Sequence, residues 1–172
     1  MLLTETPVKN LEELQQIISQ TSDAHLFYEV AVEALIFSSD GKLLLHKRWQ
    51  WCRDEVGKLE GIGGRYEKED ETFLNAVKRE IREELGDKAQ ITIKSFFWVK
   101  KDTVWDIKNN QEKHWVIISY LCDYIGGELL IMEPRKNEGF HFIDIHTVDE
   151  TLLNSSTMSV LPLLRARKPL VV

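Results

Sequence analysis

An α+β fold, a mixed sheet covered by helices, is predicted by three features of this 172-residue chain. Runs rich in β-branched and aromatic residues recur along it, and about three amphipathic helical stretches stand apart between them. No tract has the composition of a linker and nothing repeats, so residues 1–172 read as a single domain. With 43% hydrophobic and 29% charged residues, the chain has the material for one packed core and lacks the profile of a disordered one.

The elements follow in order. Asn10 with Glu13 marks a helix start, and Leu11, Leu14, Ile17 and Ile18 form one stripe to about Gln20. FYEVAVEALIF, residues 27–37, is a strand; the SSDG turn returns it as KLLLHK, 42–47. Residues 48–64 hold four glycines and no sustained period, which predicts an ordered loop. A helix over 71–85 follows, with Gly86 as its C-cap and Leu74, Val77, Ile81 and Leu85 as its apolar stripe. Strands are predicted at 91–100 and 114–124, joined by the polar DIKNNQEK, then at 129–132 and 140–145. Helices over 148–153 and from 158 to 167 complete the chain.

A formal charge of −6 argues against a protein that holds nucleic acid through a basic face. Cys52 and Cys122 form no CxxC pair, so zinc lacks a ligand set and a disulfide framework is not expected. Met1 to Asn10 has no signal-peptide pattern, and no apolar run is long enough to span a bilayer. The reading is a cytoplasmic protein that engages neither membrane nor nucleic acid polymer.

The acidic helix carries the chemistry. Glu80, Glu83 and Glu84 lie at i, i+3 and i+4, so three carboxylates share a face, at a cost of a few tenths of a kcal/mol each in an isolated helix. A solvated acidic face would explain the triplet alone. The glycines ahead of it, Gly61, Gly63 and Gly64, change the reading, because they let a ligand approach the main chain. Carboxylates, a backbone carbonyl and open positions are what Mg²⁺ or Mn²⁺ requires.

On these residues the chain resembles the Nudix hydrolase family, whose signature is G-x5-E-x7-R-E-U-x-E-E-x-G-U, with U a bulky apolar residue. Arg79-Glu80-Ile81-Arg82-Glu83-Glu84-Leu85-Gly86 matches every fixed position of its core, and Glu71 stands eight before Arg79. The glycine falls at Gly64, one position early, so the loop RYEKED counts one residue longer than the signature; Asp87 replaces the last apolar residue. EPRKNEGFHF, 133–142, is similar to the EPxKxEGxxW segment of nucleotide-cleaving members. The resemblance spans about residues 28–153, leaving an N-terminal helical extension (1–26) and a C-terminal helix and basic tail (154–172) outside it.

The resemblance implies an α/β/α sandwich with a mixed sheet between helices. It also implies metal-dependent hydrolysis of a phosphoanhydride bond in a nucleoside diphosphate linked to another group. A (d)NTP pyrophosphohydrolase heads the alternatives, followed by ADP-ribose, nucleotide-sugar or dinucleoside polyphosphate hydrolases, and by a nucleotide-binding sensor without turnover. Glu80, Glu83, Glu84 and the Gly64 carbonyl would hold Mg²⁺ or Mn²⁺. Arg79 would orient the acids, and Glu71 would cap the loop or pair with Arg79. The general base stays open between a helix glutamate and a later loop acid, for which Glu138 is preferred to Glu133. Arg48 is the candidate phosphate contact, and Phe140 heads Trp49, Trp51 and Phe142 as candidate base-stacking residues. The N-terminal helix could cover the sheet or serve a homodimer.

Overall fold

The computed structural model describes residues 2–4, 7–21, 26–52, 54–106 and 109–166. Eight strands form one curled mixed sheet. They are β1 (Leu2–Thr4), β2 (Tyr28–Phe37), β3 (Leu43–Arg48), β4 (Leu59–Glu60), β5 (Ile62–Arg65), β6 (Ala89–Asp106), β7 (Gln111–Gly127) and β8 (Asn137–Ile143). The helices are α1 (Leu11–Ser19), α2 (Phe73–Leu85) and α3 (Ser155–Ala166).

Strand β2 organises the sheet. Along one edge it runs parallel to β7, from Tyr28 opposite His114 to Phe37 opposite Asp123. Along the other edge, Ala31–Ala34 pair with β5, while β3 meets β2 only at its end, Phe37 opposite Leu43. The sheet therefore splits: β3 leaves β2 and pairs with β4 and β8 instead. The metal-binding helix expected from the sequence sits against this fork, since α2 touches both β5 and β2.

Side chains alternate across β2, so its two faces feed two cores. Val32, Ala34 and Ile36 pack with Phe73, Val77 and Leu85 of α2 and Leu14 of α1. Leu35 turns the other way, with Leu43, Leu45 and Leu121 against Val160, Leu161 and Leu164 of α3. Helices flank the sheet on both faces, as the α+β, sandwich-like expectation holds. No helix among the described residues is long and apolar enough to cross a membrane.

Several local expectations are corrected. The stretch expected to be wholly loop contains β4 and β5, broken at Gly61, which the period could not show because each strand is too short. The hairpin strands extend to Asp106 and resume at Gln111, well into the polar segment, because cross-strand pairing sustains residues of modest propensity. Residues 129–132 form no strand; β7 ends at Gly127. Leu74 is exposed, and Phe73 and Ala76 take its place in the buried stripe of α2. The helix expected over 148–153 is a 3₁₀ turn, Glu150–Leu152. Arg167 and the remaining basic tail lie outside the described residues.

Candidate active site

Thr72 starts α2 by accepting the Asn75 N–H at 3.2 Å, and the stripe Phe73, Ala76, Val77, Ile81 and Leu85 docks it on the sheet. That docking turns Glu80 and Glu84 inward against β5, both buried, and leaves Glu83 at the rim with its side chain 54% exposed. The glycines of β5 make the approach possible. A Cβ on Gly64 would stand 2.6 Å from the Glu80 carboxylate, and one on Gly63 would strike the Val32 carbonyl at 2.2 Å.

Arg79 is the hub. Its Nη1 donates to Glu80 at 2.6 Å and to Glu83 at 3.0 Å. Its Nε and Nη2 donate to the two oxygens of Asp70, each at 2.9 Å, and Nη2 also reaches the Arg65 carbonyl at 2.9 Å. This fork-on-fork pair is the strong geometry for arginine and carboxylate. Hydrogen bonding from Arg79 holds the Asp70 carboxyl below its ordinary value.

The pairing expected of Glu71 is therefore made by Asp70. Gly64-x5-Asp70 has the glycine-to-acid spacing of the signature, with aspartate for glutamate. The surplus residue lies after that acid and not within RYEKED. It is Glu71, exposed and pushed to φ 61 between the 3₁₀ turn Lys68–Asp70 and the cap Thr72. The spacing is present in the sequence, where adjacent acids, Asp70 and Glu71, both answer to that position.

Behind the helix acids, Glu60 on β4 lies 3.3 Å from His46 Nε2 and also binds Arg48. Burial alone would raise the Glu60 carboxyl, but His46 and Arg48 outweigh it and hold it below the usual range. Arg48, the candidate phosphate contact, is thus already engaged by Glu60 and Asp54. The other two acids behave oppositely. Burial pushes Glu80 up despite Arg79. Burial, with Glu60 and Glu80 nearby, pushes Glu84 well above the ordinary carboxylate value, and a Gly63 N–H only partly opposes this. Glu84 Oε2 is buried with no hydrogen-bond partner among the described residues.

These groups line a cleft of 570 Å³ together with Glu133, whose carboxylate accepts from Lys136 Nζ at 2.6 Å. The turn after Glu133, closed by Lys136 and Asn137 N–H bonds to its carbonyl, aims that residue at the cleft. Glu138 points elsewhere: it is exposed and pairs with Lys47 at 2.9 Å. Of the two loop acids, Glu133 lines the cleft and Glu138 does not, because strand alternation on β8 turns Glu138 away. Phe140 packs against the α1–α2 side core and does not line the cleft; Trp51, 70% exposed, stands there instead. Phe142 packs on Tyr124, with ring centres 5.4 Å apart.

The donors suit a hard divalent cation. Among the described residues no three acids, histidines or cysteines are already drawn together as a closed cage. Arg79 spans Glu80 and Glu83 instead. The orphaned Glu84 oxygen, flanked by further carboxylates, is the mark of a place where positive charge fits.

The NUDIX domain model matches residues 27–164. The chain belongs to the NUDIX family. Among solved structures, this NUDIX chain resembles the MutT NUDIX hydrolase from Burkholderia pseudomallei, at 28% identity and a TM-score of 0.63, over 80% of this chain and 98% of that one. The Escherichia coli ORF135 protein shares the fold at 23% identity and a TM-score of 0.62, covering 85% and 96%. So does the NUDIX domain of Shewanella oneidensis NrtR, solved with ADP ribose, at 16% identity and a TM-score of 0.62, covering 89% and 96%. No match was found among curated proteins. Membership supports a hydrolase, and the family's general use of Mg²⁺ or Mn²⁺ agrees with the donor chemistry.

Proposed function

We propose that this NUDIX protein is a divalent-metal-dependent pyrophosphohydrolase of free nucleotides, with (d)NTPs as the substrate class. The observation that carries the reading is the buried, unpartnered Glu84 oxygen beside Glu80 and the glycine strand, an acidic recess that becomes favourable when cations enter it. Glu80, Glu83, Glu84 and a carbonyl of the Gly63–Gly64 strand would hold Mg²⁺ or Mn²⁺. The ions, when bound, neutralise phosphate charge and lower the pKa of attacking water.

The chain's own residues set the geometry. Asp70 fixes one side of the Arg79 guanidinium, and Arg79 in turn fixes Glu80 and Glu83. Gly64 leaves the space that the Glu80 carboxylate needs, so the phosphates can approach main chain and acids together. Glu133, which lines the same cleft and pairs there with Lys136 at 2.6 Å, is the loop acid placed to accept a proton from water. The nucleoside end extends over Arg48, Glu60 and Gly63 into the adjoining cavity, since these residues border both spaces.

Release of phosphate or pyrophosphate from (d)NTPs, ADP-ribose, nucleotide sugars and dinucleoside polyphosphates, with Mn²⁺ or Mg²⁺ against EDTA, tests the reading. Turnover should require metal, favour (d)NTPs, and fall about a hundredfold in Glu83→Gln, as for loss of a key electrostatic group. Full activity in that variant rejects the role given to the helix acids. Tight nucleotide binding with no turnover under either metal would mark a sensor.

A further inference from the structure

A cavity of 240 Å³ lies beside the metal cleft, on the α3 face of the sheet, and its chemistry is uneven. Its wall includes Arg48, Glu33, Asp102, Trp115, Asn154 and Ser156. Arg48 is occupied by Glu60 and Asp54. Asn154 is occupied as well: its amide donates to Glu60 at 3.0 Å and its carbonyl accepts the Thr157 N–H at 2.9 Å.

Glu33 differs. It sits in the middle of β2, where the strand alternation that sends Val32 and Ala34 into the α1–α2 core turns it to the α3 face. It is only 6% exposed, an unusual burial for a glutamate. Its Oε2 accepts from the buried Ser119 hydroxyl at 2.8 Å, which fixes the carboxylate plane. Its Oε1 takes no hydrogen bond from any described residue and lies against Gly61, where a Cβ would come within 2.9 Å. No lysine, arginine or histidine among the described residues pairs with it. A largely buried carboxylate that is held by Ser119 and opens its other oxygen onto a cavity is placed to accept a donor from a ligand there.

We propose that Glu33 determines base specificity, by selecting a base that offers two adjacent N–H donors: guanine among the natural bases. This rests on the nucleotide-hydrolase reading above and deepens it. A carboxylate has lone pairs on both oxygens, so Oε2 can keep Ser119 while the pair accepts guanine N1–H and N2–H side by side. The other bases mismatch that edge. Adenine and cytosine place a ring acceptor beside their amino group, and uracil flanks its one N–H with two carbonyls, so each would set an acceptor against the carboxylate. A site built to accept hydrogen bonds rejects such analogues strongly, because its buried oxygen then stays unpaired. Trp115, with the Arg65 guanidinium 5.6 Å from its ring centre, supplies an aromatic wall of the same cavity.

The test has two arms. In the first, guanosine, adenosine, cytidine and uridine are titrated calorimetrically into the metal-free protein; having no phosphate, they do not depend on the acidic cleft. Guanosine should bind at least about tenfold more tightly than the other three, as for one well-made bidentate base contact. Glu33→Gln, which puts an amide donor where the base also donates, should erase that lead. Glu33→Asp keeps the charge but withdraws it by one methylene, and should reduce the lead if the glutamine variant fails to fold. In the second arm, kcat/KM is compared for GTP, ATP, CTP and UTP with Mn²⁺, and the guanine preference should collapse in the same variants. Four nucleosides within threefold of one another, no binding by any, or a guanosine lead that survives Glu33→Gln would overturn the proposal. Metal-dependent turnover that ignores the base would sink this inference and leave the hydrolase reading standing. Selective guanosine binding without turnover would do the reverse.

Discussion

Asp70 and Glu71 are neighbours with opposite duties, and substitution separates them. Asp70→Asn removes half of a largely buried bidentate pair and should cost about 3 kcal/mol by chemical denaturation, as for breaking a buried pair by loss of one partner. Activity should fall with it, since Arg79 loses the anchor that holds it to Glu80 and Glu83. Glu71→Ala should leave stability within about 0.5 kcal/mol and turnover within about twofold, as for an exposed side chain outside the network. The pair also sets acid sensitivity. Hydrogen bonding from Arg79 depresses the Asp70 carboxyl below its ordinary value of 3.8, so the native state binds its proton less readily than the unfolded chain does. Its stabilisation is complete above about pH 4 and is lost as pH falls through the depressed native value; Asp70→Asn should lack this part of the acid transition. The cysteines divide in the same way. Burial pushes the Cys122 thiol up to about 12, whereas Cys52 is half-buried near the cleft, donating to the Lys136 carbonyl at 3.2 Å. Ellman's reagent at pH 8 should modify one thiol in the native protein and two after unfolding.

At the scale of elements, legibility followed length and period. α2 could be placed from its 3.6-residue stripe and its acids, and β2 and β3 from the SSDG turn between them. β4 and β5 could not, for two to four residues carry no period, and their existence depends on β2 and β3 offering free edges. The same limit hid Glu60 and His46, which are brought together only by the β3–β4 register, His46 opposite Glu60. Lys100 is a further contact that the sequence did not disclose. Although only 3% exposed, it donates to the Ser156 carbonyl at 2.8 Å and to the Ser156 and Ser159 hydroxyls at 3.1 and 2.8 Å, tying β6 to the first turns of α3. Lys100→Met should lower stability by about 2 kcal/mol, the scale of hydrogen bonds to a buried charge. Thermal unfolding would measure it. Because Ser156 lines the smaller cavity, nucleoside binding should weaken in the same variant.

For the whole molecule, a formal charge of −6 and a cleft gathering Glu60, Glu80, Glu84 and Glu133 predict a native state that metal stabilises. Mn²⁺ at about a hundred times its Kd adds about 2.7 kcal/mol by mass action, which for a chain of this size is a rise in Tm of roughly 5–10 °C. Glu84→Gln should abolish most of that rise, and an unchanged shift in the variant would remove Glu84 from the ligand set. The global architecture was legible because helices and long strands alternate clearly, while the fork between β3 and β5 was not, since a strand that changes partners leaves no mark on its own composition. The parallel seam between β2 and β7 has a further consequence. Glu33 and Ser119, which face each other across it, are 86 positions apart. The β6–β7 hairpin is a local pairing and can zip early, whereas the seam must close a long intervening loop before it gains any contact. During translation, the amino-terminal half bearing every helix glutamate must therefore wait, its β2 edge unpaired, until the strand that completes it leaves the ribosome. A nascent chain halted before His114 should show no protease-resistant core.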